Sequence, residues 1–135
     1  MGNVLQSFKP LFTAVFHRRK KRDHTAFDKA LSCCETGPVV YFAENPHGSN
    51  DCAYLFNYKK VKGFWRAYVL RTPELCGRDD GTHLTHRVPD KNGGFFISWD
   101  HPVTSFEDME LISHHWANHI QTYIATGAHF GQGGN

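Results

Sequence analysis

The sequence has no Cys-x-x-Cys pair, no His-Glu-x-x-His segment and no glycine loop set between a strand and a helix. These absences remove the usual signatures of a redox dithiol, a zinc protease and a phosphate cradle. Cysteine is sparse: Cys33, Cys34, Cys52 and Cys76 fall at no regular spacing. Adjacent Cys33 and Cys34 would make an awkward disulfide with each other, so free thiols are expected. No apolar run approaches the roughly eighteen residues a membrane-spanning helix needs. Nor does the start of the chain read as a secretory leader, so a reduced, cytoplasmic setting is the expectation. Gly2 begins a lipidation pattern that fails at Gln6, where Ser or Thr is required.

What is abundant is aromatic residues. Eleven Phe, five Tyr and three Trp in 135 residues give the chain burial enough for one sizeable core, and its length is too short for two of ordinary size. Charge is unevenly spread. The formal net charge is +2, yet five of the fifteen basic residues, Arg18, Arg19, Lys20, Lys21 and Arg22, form one run; without it ten basic residues face thirteen acidic ones, a net of −3. A mildly acidic body with a strongly basic arm argues against a nucleic-acid binder charged over its whole surface.

The arm, residues 1–24, carries Val4, Leu5, Phe8, Leu11, Phe12, Val15 and Phe16 at helical spacing, with Pro10 expected to kink or divide the helix. An apolar stripe beside a basic run suits docking on a protein, lying on a membrane surface, or contact with nucleic acid. Phe8, Phe12, Phe16 and the run Arg18–Arg22 are therefore the candidate binding residues. A protein partner is the preferred expectation.

Residues 25–135 read as a single α+β domain. A short helix should begin at Thr25 and stop before Gly37-Pro38. Strands are expected at Val39–Glu44, Cys52–Tyr58 and Phe64–Arg71, the last two joined by "KKVKG" as a hairpin. A further pair, "HLTHRV" and "GFFISW", flanks "PDKNGG", whose Pro89, Asp90, Asn92, Gly93 and Gly94 suit a tight turn. The predicted fold is thus a mainly antiparallel sheet of four to five strands. A long C-terminal helix from Thr104 or Ser105 to Gly127 should cover one face through Met109, Ile112, Trp116, Ile120 and Tyr123.

Three constellations could carry chemistry. His83, His86, Asp90, Asp100 and His101 crowd around the "PDKNGG" turn and would make a small enzyme or a metal site if they converged. His83 and His86, read as extended, should point to opposite faces. His115 and His119 lie one helical turn apart and could share a zinc ion, but the intervening pattern lacks the Glu of a zinc protease. Boundary histidines are the commoner outcome, so no metal and no cofactor are expected. Cys76, in a polar loop near Arg78, is the most plausible of the cysteines as a nucleophile; an ordinary surface thiol is the simpler reading.

The order of elements, with His86-Arg87-Val88-Pro89-Asp90, Gly93, Trp99, Trp116 and "YIATGAHFGQGG" from Tyr123, resembles bacterial proteins of the ubiquitin-conjugating-enzyme-like fold. The resemblance covers residues 39–135. Members of that family place a thioester-forming cysteine just after the turn, where this chain has Phe95, Phe96 and Ile97. The resemblance therefore implies a relative that binds without conjugating. A non-catalytic binding or accessory module, of the kind a bacterial or mobile-element system would use, is the expected function.

Overall fold

The computed structural model describes residues 34–48 and 51–128. The arm of residues 1–24 with its candidate binding residues, the short helix expected from Thr25, and the tail after Ala128 lie outside the described residues. The elements run β1 (Glu35–Phe42), β2 (Ala53–Val61), β3 (Phe64–Arg71), α1 (Thr82–Thr85), β4 (Arg87–Pro89), β5 (Phe95–Ile97) and α2 (Phe106–Thr126). The strands form one sheet in the order β1-β2-β3-β5-β4, and every neighbouring pair is antiparallel. The α+β architecture, the sheet and the covering C-terminal helix thus stand as the residue pattern implied.

β2 and β3 close through Lys62 and Gly63, both at positive φ (54° and 86°), directly after the pair Val61–Phe64. Two left-handed residues in a two-residue loop match the right-handed twist of the flanking strands. β3 spans the residues expected of it, whereas β2 continues past Tyr58 to Val61. β1 starts four residues before Val39 and takes in Gly37 and Pro38. The proline is tolerated because β1 is an edge strand with a register shift between Glu35 and Pro38.

The strand expected over "HLTHRV" is corrected for its first half. Thr82–Thr85 is a single helical turn that ends at His86 in a left-handed conformation (φ 55°), and only Arg87–Pro89 joins the sheet. Gly81 O accepts from Thr85 N at 3.0 Å and from Thr85 Oγ1 at 2.9 Å, while Trp116 Nε1 donates to Thr85 O at 2.8 Å. Those bonds, one of them from across the core, override the extended propensity of the segment.

Alternation sends Tyr54, Phe56 and Tyr58 of β2 and Trp65 and Ala67 of β3 to one face, where they are buried against α2. The expected stripe Met109, Ile112, Trp116, Ile120 and Tyr123 is buried throughout. Trp116 stands edge-on to Tyr54 and Phe56, each with ring centroids 6.1 Å away, and Phe106 does the same to Tyr58 at 5.2 Å. Two tyrosine hydroxyls meet polar groups of the helix: Tyr54 donates to Gln121 Oε1 at 2.8 Å, and Tyr58 pairs with Ser113 Oγ at 2.6 Å. Polar residues inside the helix stripe thus satisfy tyrosines that would otherwise bury a bare hydroxyl.

The ends of α2 follow the sequence signals. Ser105 Oγ accepts from Asp108 N at 3.3 Å, and Gly127, at φ 81°, donates its N–H to Tyr123 O at 2.8 Å. A Cβ at position 127 would lie 2.9 Å from Arg78 Nη1 and would hold an unfavourable backbone. Gly127→Ala should therefore destabilise the domain by about 1–2 kcal/mol, read as a lower urea midpoint with unchanged slope. An unchanged midpoint would show that this terminus is free to fray.

Candidate functional site

Because α2 covers one side, the alternate residues of every strand face away from it. Cross-strand register lines them up in rows. Pro38 pairs with Asn57, Asn57 with Tyr68, Tyr68 with Phe96 and Phe96 with Val88, a row that crosses all five strands. The next row sets Glu35 opposite Lys59 and Lys59 opposite Arg66. On these rows lies an open depression of about 810 Å³, bounded by the β2–β3 turn and by the Asp90–Gly94 turn. Between the turns, Phe64–Val69 of β3 spans roughly 17 Å of extended chain.

Charge concentrates there. Among the described residues eight are Lys or Arg and eleven are Asp or Glu, yet the depression is lined by Lys59, Lys60, Lys62, Arg66 and Lys91 with Asp90 as its one acidic residue. Asp90, its carboxylate 3.9 Å from Arg66 Nη1, offsets one of the five charges and leaves the four lysines. Arg66 lies over the Phe96 ring, 4.2 Å from the centroid, and donates to Tyr68 Oη at 3.1 Å; the Tyr68 and Phe96 rings are 5.7 Å apart. Asn57 donates from Nδ2 to Glu35 Oε2 at 2.9 Å, while its buried Oδ1 has no hydrogen-bond partner among the described residues. Leu70 lies exposed within the depression, and beyond it the face carries exposed Val40 and Phe42. The result is a shallow cationic surface with aromatic planes in its floor, suited to holding an anion and unsuited to excluding water from a reacting bond.

The candidates for catalysis lie on α1 and its cap, in the β4–β5 turn, in the segment after β5 and in the loop before α1. His83 lies exposed on α1, while His86 caps that turn, buried, its backbone tied to Thr82 O at 2.9 Å and to Ser98 N at 2.8 Å. One is exposed and one buried, as alternation implied, but through a helical turn instead of an extended segment. Asp90 closes its turn with Gly93 and Gly94 and reaches Arg66; His101 Nδ1 pairs with its neighbour Asp100 at 2.6 Å. Cys76 is exposed in the loop at φ 55°. Arg78 does not serve it as a fixed partner: the Arg78 Nε donates to Ile124 O at the end of α2.

His115 and His119 lie beside one another on α2. Burial lowers the His115 pKa, with Glu44 opposing, and pushes His119 down to about 4, helped by the charge His115 would carry. Neutral imidazoles could ligate a metal, but among the described residues no three His, Cys, Asp or Glu side chains gather as a metal would require. Next to them Tyr41 stacks on His114 with centroids 3.9 Å apart and donates to Asn118 Oδ1 at 3.1 Å. Among the described residues no helix is long and apolar enough to cross a membrane.

Reading the chain by segments missed the depression, because its five cations come from "KKVKG", "FWRAYVLR" and "PDKNGG", each of which was accounted for as a turn or a strand. Alternation could have found part of it: Lys59, Arg66 and Tyr68 all fall on the positions opposite the buried aromatics. No protein-family model matches the chain, and neither a curated protein nor a solved structure matches it.

Proposed function

We propose that this protein is a non-catalytic binding module that holds an anionic partner in the depression on the sheet face opposite α2. One observation carries the reading: five of the eight described cations line one depression in a body whose described residues are otherwise acidic. Such a concentration costs self-repulsion in the free protein, and an anion relieves it. The basic run Arg18–Arg22 adds five positive charges to the same chain and would strengthen any such association. Were the chain related to ubiquitin-conjugating-enzyme-like proteins, Phe95, Phe96 and Ile97 would offer no thiol for conjugation. On this reading the protein is a relative of that fold which grips without reacting.

The test uses heparin as a polyanion that has no aromatic groups. It is carried out on the full chain with Arg18, Arg19, Lys20, Lys21 and Arg22 all changed to Gln, so that the arm does not mask the sheet. Changing Lys59, Lys62 and Lys91 to Gln on that background should weaken binding about tenfold, because several phosphate-like contacts are lost together. Equal affinity before and after the triple change would refute the proposal.

A further inference from the structure

The depression contains more than charge, and its other features narrow the class of anion. We infer that the ligand is a single strand of nucleic acid, its phosphates met by the lysines at the rim and its bases laid against Tyr68 and Phe96. The inference rests on the reading of the depression as an anion site and gives that site its substrate class.

Four of the five cations are lysines. A lysine is a mobile point charge that can follow a chain of phosphates without fixed two-pronged geometry, so the rim supplies charge and the rings supply the selection. The single arginine, Arg66, already lies over Phe96, 4.2 Å from the ring centroid, and is hydrogen-bonded to Tyr68. In that posture it presents a plane on which a base can stack, with its charge beside the backbone. Tyr68 and Phe96 are register partners on adjacent strands, so their rings are held 5.7 Å apart by the sheet itself. An acidic peptide has nothing to place on such rings; an unpaired base has a π-face that gains about 1–3 kcal/mol from each aromatic it covers.

The geometry also chooses between strands and duplexes. The bases of a duplex are stacked on each other and reachable only through its grooves, while the floor here is a sheet whose aromatics do not project as a wedge. Asn57, cross-strand neighbour of Tyr68, adds an acceptor, Oδ1, that lacks a partner among the described residues. A base amino group or a ribose hydroxyl would satisfy it after a small side-chain rotation. The face opposite the covering helix is also where other sheet-based modules receive single strands.

Binding of fluorescein-labelled oligo-uridylate and oligo-thymidylate, each of roughly eight nucleotides, to the arm-neutralised full chain tests the inference. Affinity should fall steeply with salt, and Tyr68→Leu should reduce it about tenfold, a clearly larger factor than the change in heparin affinity that follows from releasing Arg66. A stronger response to oligo-uridylate would point to RNA, and equal responses to either strand; both support the inference. Ultraviolet cross-linking of a bromouridine strand to the unsubstituted protein should place the adduct on Tyr68 or Phe96, which removes any dependence on how the variant folds. The inference fails if Tyr68→Leu lowers heparin and oligonucleotide binding alike, if a duplex of the same length binds more tightly, or if vesicles containing phosphatidylserine outcompete the strand. Heparin binding that needs the lysines, together with no oligonucleotide binding, would sink this inference alone and leave the anion site standing.

Discussion

Trp116→Ala is expected to leave the domain barely folded at room temperature. Trp116 is 1% exposed and stands edge-on to both Tyr54 and Phe56, so the truncated side chain opens a cavity against the central strand of the core. Removing a buried Trp costs about 3–5 kcal/mol from lost transfer and the cavity left behind. A second loss adds to it, since Trp116 Nε1 donates to Thr85 O at 2.8 Å, and Thr85 is 1% exposed. That carbonyl, left without its donor, costs about 1–3 kcal/mol more. A domain of this size has roughly 5–15 kcal/mol in all. Urea denaturation followed by tryptophan fluorescence measures the change. Trp116→Phe separates the two contributions: it keeps most of the apolar contact, loses the hydrogen bond, and should fall between the wild type and alanine. A midpoint for Trp116→Ala within error of the wild type would show that the helix is not fastened to the sheet through this ring.

The same residue shows why some of the fold was legible in the chain and some was not. α2 was legible because its determinants are local: Ser105 and Gly127 at its ends, acidic Glu107 and Asp108 in the first turn, and an apolar stripe at helical spacing. β3 was legible because an aromatic-rich run, Phe64, Trp65 and Tyr68 with Val69, follows the β2 run across a short turn. α1 was not, because Thr82–Thr85 is held in one turn by a bond from Trp116, 31 residues away, and no local pattern announces that. The turn residues of "PDKNGG" were recognised correctly as backbone devices, with Gly93 and Gly94 both at positive φ. What the segment could not reveal is that β5, not β4, lies beside β3. That order brings Phe96 against Tyr68 and sets Lys91 on the same depression as Lys59. The binding face is a product of sheet order, and a chain read one segment at a time has no term for it.

Acid should unfold this domain earlier than its carboxylates alone would dictate, and His119 is the reason. In the unfolded chain its pKa lies near 6.5, whereas burial and the neighbouring His115 push it down to about 4 in the fold. Above pH 6.5 the ring is neutral in both states and exacts nothing. Between pH 6.5 and 4 the unfolded chain takes up a proton that the folded protein refuses, so stability is complete above the upper value and is lost progressively as the pH falls to the lower. The shift is worth on the order of 2–3 kcal/mol, a large share of what a small domain possesses. His115 acts in the same direction, its pKa lowered by burial, while Glu44 partly opposes the shift. Asp51, held below the usual carboxylate range by its hydrogen bonds from Arg71 and Ala53 N, adds a further loss at still lower pH. The urea midpoint should therefore decline steadily from pH 7 to pH 5, where an Asp or Glu with an ordinary pKa has scarcely begun to titrate. His119→Gln keeps a polar side chain of similar reach and removes the titration. That variant should lose most of the decline, even if its stability at pH 7 differs from the wild type. A decline of the same steepness in both proteins would assign the acid sensitivity elsewhere. A flat wild-type profile between pH 7 and pH 5 would mean that water reaches the ring and that its partial burial on α2 is not maintained in solution.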